Sequence, residues 1–105
     1  MSMIDNFEAM LAQGKDTPLL RFSLGNSYMM AGEPASAVAH LQAAVVHDPK
    51  YSAAWKLLGK ALAATGETIA AANAYAKGIS AAEAKGDKQA AKEMSVFLNR
   101  LQRPE

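Results

Sequence analysis

Two dipeptides recur in this chain at one fixed interval. Leu24-Gly25 returns as Leu58-Gly59 and Gly32-Glu33 returns as Gly66-Glu67, both 34 positions later, and Ala37 returns as Ala71 in the same register. The 105 residues hold only seven glycines, so coincidence is a poor account of the match. A period between about 20 and 50 residues marks an array of supersecondary units, each unable to bury its apolar face alone and each stacked on the next. Elsewhere the two copies share little, as expected where packing positions alone are constrained.

Each unit reads as two antiparallel helices. Alanine supplies 23 residues while valine and isoleucine are sparse, and Ala with straight-chain Leu, Lys and Glu loses little side-chain entropy in a helix. Sheets want the β-branched residues that are scarce here. The first helix spans Pro18–Ala31, with Thr17 as N-cap, Pro18 at the first helical position and Gly32 as its left-handed stop. Its partner spans Pro34–His47 and ends at Asp48-Pro49. The second pair covers Ser52–Thr65 and Thr68–Lys85, and Glu83 stands where a proline stop would fall. Leu20, Leu24 and Tyr28, then Ala37, Leu41 and Ala44, keep the three- and four-residue spacing of a helix face.

The flanks extend the pattern. Shifted by 34, residues 3–13 place Met3, Phe7 and Met10 on the positions of Ala37, Leu41 and Ala44. Gly86-Asp87 forms a turn and N-cap for a helix at Lys88–Gln102, whose apolar face is Ala91, Met94, Leu98 and Leu101 with the register slipped by two. The expected fold is all-α. It is an antiparallel helix-turn-helix solenoid of two full repeats, 18–51 and 52–85, between a half-repeat helix at 3–13 and a capping helix at 88–102. All of it forms one domain over residues 1–105.

Composition excludes several chemistries. Without cysteine there is no disulfide framework, thiolate metal site or cysteine nucleophile. No apolar run is long enough to span a membrane, and the acidic start Ser2-Met3-Ile4-Asp5 lacks the basic and apolar regions of a secretory signal. A cytoplasmic protein is expected. A net charge of +1 speaks against gripping nucleic acid or anionic lipid. The charge is uneven: residues 1–52 hold three Lys/Arg against five Asp/Glu, and residues 53–105 hold eight against five.

These repeats resemble the tetratricopeptide repeat of small bacterial proteins, whose pattern is a large residue, Leu-Gly, Tyr, and later Ala, an aromatic or Leu, Ala and Pro. Residues 18–51 supply Leu24-Gly25, Tyr28, Gly32, Ala37, Leu41, Ala44 and Pro49, departing at Arg21. Residues 52–85 supply Trp55, Leu58-Gly59, Gly66, Ala71 and Tyr75, departing at Leu62, Gly78 and Glu83. Gly25 and Gly59 are expected at close helix crossings faced by Ala37 and Ala71, and Trp55 is expected to be largely buried between the repeats.

The resemblance also implies a function. In that family the first helix of each repeat lines a concave surface, chiefly at its second, fifth, ninth and twelfth positions. By register these are Leu19, Phe22, Asn26 and Met29, then Ala53, Lys56, Lys60 and Ala63, then Gln89, Lys92, Val96 and Asn99. The implied groove is apolar at Leu19, Phe22 and Met29 and cationic at Lys56, Lys60 and Lys92, with no acid seen to neutralise the pair Lys56 and Lys60. It suits a protein or peptide partner that is acidic or offers a free C-terminus. Asn26 keeps one position of the family's carboxylate clamp, while Phe22 and Leu57 replace two others.

Two histidines, His40 and His47, are read as exposed or edge residues, since a metal site needs more ligands than Asp48 can add. No phosphate loop, carboxylate pair or nucleophile elbow is present. The reading is a non-enzymatic interaction scaffold with no cofactor, no metal, no nucleic-acid partner and no membrane partner. The alternative is a homodimer that buries an apolar cluster of Phe22, Met29 and Met30.

Overall fold

The computed structural model describes residues 2–103. Six helices and no strand occur among the described residues: α1 (Met3–Ala12), α2 (Pro18–Met30), α3 (Pro34–His47), α4 (Ser52–Ala64), α5 (Thr68–Ala84) and α6 (Lys88–Gln102). Four helices stop one residue before the expected end, because Gln13, Ala31, Thr65 and Lys85 serve as C-caps. The fold is an all-α repeat solenoid.

The recurring Gly-Glu dipeptide is a helix stop. After α2 the Gly32 N–H donates to the Met29 carbonyl and the Glu33 N–H to the Tyr28 carbonyl, at 3.1 and 2.9 Å. Gly66 and Glu67 donate to Ala63 and Leu62 at the same distances. This motif needs a left-handed residue at its corner, and Gly32 and Gly66 sit there at φ of +76° and +82°. Starts are equally local. The Leu20 and Ala90 N–H groups donate to Thr17 Oγ1 and Asp87 Oδ1, both at 3.1 Å, each offsetting one orphan donor. A reciprocal Ser2–Asp5 capping box opens α1.

Consecutive helices pack on one another along the chain, and α1 makes the lightest contact, on α2. One core cluster runs through Leu41, Val45, Leu58 and Leu62 between α3, α4 and α5, and a second joins Tyr75 and Ala82 to Ala91 and Met94. The close crossings at Gly25 and Gly59 exist, and the nearest side chains there are Leu41 and Tyr75. A Cβ on Gly25 would strike the Leu41 side chain, and one on Gly59 would come within 2.5 Å of the Tyr75 ring. Ala37 and Ala71 are fully buried. Gly78 is a third crossing, where a Cβ would lie 2.5 Å from Met94 Sδ and 2.8 Å from Trp55 Cβ. Its departure from alanine makes room for α6.

Two expectations are corrected. The inward face of α1 is Ile4, Phe7, Glu8 and Leu11, whereas Met3 and Met10 face solvent. Trp55 is only partly exposed and packs against the core; its indole N–H donates to the Pro49 carbonyl at 2.7 Å, and Lys77 Nζ lies 5.5 Å above the ring. His40 is no edge histidine. It stacks on Tyr28 at 5.5 Å, takes a hydrogen bond from Arg21 and meets Glu8 of α1.

Candidate groove on the face of the first helices

Helices α2, α4 and α6 stand side by side, with contacts from α2 to α4 and from α4 to α6. Between α2 and α4 lies a groove of about 220 Å³ lined by Phe22, Asn26, Ala53, Lys56, Leu57 and Lys60. The Pro18 start and the 3.6-residue turn put Phe22 and Asn26 four apart on one stripe of α2, and Lys56 and Lys60 four apart on α4. Phe22 is held from behind by Tyr51, the N-cap of α4, with ring centroids 5.2 Å apart.

Four of the seven expected residues therefore converge: Phe22, Asn26, Lys56 and Lys60. Leu19 is 66% exposed at the start of α2, outside the groove lining. Met29 is half-buried against the core and does not line the groove. The expected cluster of Phe22, Met29 and Met30 is thus divided. Met30 is 82% exposed and lines a separate apolar depression with Met3 and Ile4. Lys92 is exposed on α6 and does not line this groove either.

Helix α6 contributes what sequence spacing did not reveal. Glu93 Oε1 lies 3.3 Å from Lys56 Nζ, and the Phe97 ring lies under Lys60 Nζ at 5.0 Å. The lysine pair is not free of acids: an exposed carboxylate neutralises one member and an aromatic face supports the other. Glu93 and Phe97 are themselves four apart, so the signal was present on α6 one position from the stripe assigned to it. Chemically the lining offers aromatic and aliphatic surface, one amide and two ammonium groups. No side chain in it pairs a nucleophile with a base.

At the other end a polar chain fastens α1 and the loop before α2. Arg21 forks onto Asp16, Nε to Oδ1 at 2.8 Å and Nη2 to Oδ2 at 2.9 Å. Its remaining amino group donates to His40 Nδ1 at 3.1 Å. His40 Nε2 stands 3.1 Å from the buried Glu8 Oε1, an electrostatic contact rather than an aligned hydrogen bond. His47 Nε2 reaches Asp16 at 3.7 Å. Arg21 holds the Asp16 carboxyl below its usual range, and burial holds His40 below its usual range against the pull of Glu8.

Residues 18–61 match the sequence model of the tetratricopeptide repeat. A TPR repeat-containing protein of Pseudomonas aeruginosa is 54% identical over 101 residues, covering 96% of each chain. The chain belongs to the tetratricopeptide-repeat family. A solution structure of a Bordetella parapertussis protein superposes with a TM-score of 0.81 at 46% identity, covering 96% of this chain and 88% of that one. The Sgt2 TPR domain of Aspergillus fumigatus gives a TM-score of 0.73 at 29% identity, covering 97% and 72%. Tetratricopeptide repeats are in general protein–protein interaction modules without enzymatic activity. No described helix is long and apolar enough to cross a membrane.

Proposed function

We propose that this tetratricopeptide-repeat protein is a small non-enzymatic scaffold of the cytoplasm that holds a short segment of a protein partner in the groove between α2 and α4. One observation carries the reading: Phe22 and Leu57 offer apolar contact, Asn26 an amide and Lys56 and Lys60 positive charge, all in one groove. The favoured segment has apolar side chains followed by carboxylates, a free C-terminus among them. Leu19, Met29 and Lys92 drop from the inner contacts; exposed Leu19 and Lys92 remain available to a longer segment. Exposed charge pairs contribute about 0.2–1 kcal/mol each, so micromolar affinity is expected. Isothermal titration with a peptide ending in leucines and glutamates tests the reading. Binding that weakens with salt and is lost in Lys56→Glu/Lys60→Glu supports it; binding indifferent to both changes refutes it.

A homodimer is the second reading, favoured by one observation. Met3 and Met30 are 64% and 82% exposed and line the same depression, apolar area that association would remove from water.

A further inference from the structure

The opposite face carries a larger groove than the one between α2 and α4. It lies where α3 and α5 diverge, holds about 750 Å³, and is lined by Val45, Val46, Pro49, Trp55, Ala76 and Ala81 together with Lys50, Lys77 and Ser80. A second hollow of about 420 Å³ continues it along α5, sharing Val45, Val46, Trp55 and Lys77. Small residues make this space: Ala76 and Ala81 stand on α5 where longer side chains would fill it, and Gly78 draws Trp55 and Met94 inward. Val46 is left 78% exposed at the rim.

Charge decides what fits. Every charged residue lining either hollow is a lysine, Lys50 or Lys77. Neither forms an ion pair among the described residues; Lys77 rests over the Trp55 ring instead. Lys56, in the groove between α2 and α4, already has Glu93. An apolar floor rimmed by two unpaired ammonium groups is complementary to a segment with large apolar side chains between carboxylates. Trp55, half-buried with its N–H already satisfied by Pro49, offers ring surface beside Lys77 on which an apolar side chain can settle at no cost in unpaired donors.

We propose that the groove between α3 and α5, centred on Trp55, Lys50 and Lys77, is a second docking site, which takes an acidic amphipathic segment of a partner protein. It is independent of the groove between α2 and α4, so one chain can hold two segments at once.

Trp55 is the sole tryptophan, so the site contains its own reporter. The probe is a synthetic peptide of alternating glutamate and leucine pairs, compared with a twin carrying lysine for glutamate. The expected result is a saturable change in Trp55 emission with the acidic peptide alone, and a shifted Trp55 indole resonance. Lys50→Glu/Lys77→Glu should weaken it roughly tenfold or more, the sum of two reversed surface contacts. Lys56→Glu/Lys60→Glu should leave it within about twofold. Helicity by circular dichroism is checked for both variants, and Lys50→Gln/Lys77→Gln replaces the reversal should it unfold. An unchanged indole signal at saturating peptide, or equal response to the lysine twin, overturns the proposal. So does emission that depends on protein concentration without peptide, since a second copy would then be the occupant. Loss of the signal only in Lys56→Glu/Lys60→Glu would assign the peptide to the other groove.

Discussion

Arg21 donates to Nδ1 of His40 across the α2–α3 crossing at 3.1 Å, and the donation fixes the histidine's state. Arginine has no acceptor, so Nδ1 must be unprotonated and the ring proton must sit on Nε2, facing Glu8. The residue that departs from the repeat pattern at position 21 thus links the loop at Asp16, helix α3 at His40 and, through His40, helix α1 at Glu8. A tryptophan-like filler would pack there but would leave Asp16 without its forked partner and His40 Nδ1 without its donor. Helix α1 buries no residue fully, and the His40–Glu8 contact adds a polar tie to its partly buried face of Ile4, Phe7 and Leu11.

A pH dependence follows from that arrangement. Burial lowers the His40 pKa below its ordinary 6.5, and the Arg21 charge adds to it, while Glu8 and Asp16 oppose. The unfolded chain then binds the proton more readily than the folded one. Stability should be level above about pH 6.5 and fall as pH drops below it. Asp16, held down chiefly by its Arg21 hydrogen bond, adds stability that is lost only as pH falls through the lower carboxylate range. Melting midpoints between about pH 7 and 5 should decline in the wild type and flatten in His40→Gln. An equal decline in both would acquit His40.

The helices and their stops were legible because they depend on neighbours in sequence: a Thr17 cap, a Gly32 corner, a period of 34 residues. The groove between α2 and α4 was legible only in part. Phe22, Asn26, Lys56 and Lys60 lie on regular stripes of helices in strict register, so counting placed them. Glu93 and Phe97 escaped because α6 enters after a longer α5, and a small rotation of a helix moves the facing residue by one position.

The Gly59 crossing gives a stability test. A methyl there would press on the rigid Tyr75 ring, and overpacking costs about 1–3 kcal/mol, against a helix-propensity gain of about 1 kcal/mol for replacing glycine. Gly59→Ala should lower the urea midpoint, and Gly59→Ala/Tyr75→Leu should recover part of the loss. Destabilisation that is simply additive would mean that the two residues are not in conflict.

Self-association has its own signature. Light scattering coupled to size exclusion should report a dimer if the Met3–Met30 depression is an interface, and Met30→Glu should return it to monomer with helicity intact. Met29→Glu is a different experiment, because half-buried Met29 packs on the core, and a charge there should cost stability. Monomeric wild type across a wide concentration range would eliminate the dimer.

The Lys56–Glu93 pair makes the last prediction, and it separates binding from folding. At 3.3 Å, with side chains 27% and 44% exposed, the pair keeps contact with water and should contribute only about 0.2–1 kcal/mol to stability, so Glu93→Gln should barely move the melting midpoint. Its effect on an acidic peptide in the groove between α2 and α4 should be larger relative to the total. The wild-type carboxylate both occupies Lys56 and repels the incoming charge; removing it frees the ammonium and deletes the repulsion. Affinity should rise by about two- to fivefold, mostly at low salt, where exposed charges are least screened. Lys56→Glu/Glu93→Lys should restore the internal pair while moving the positive charge from α4 to α6. Peptide binding that is unchanged by Glu93→Gln would place the peptide's carboxylates away from Lys56.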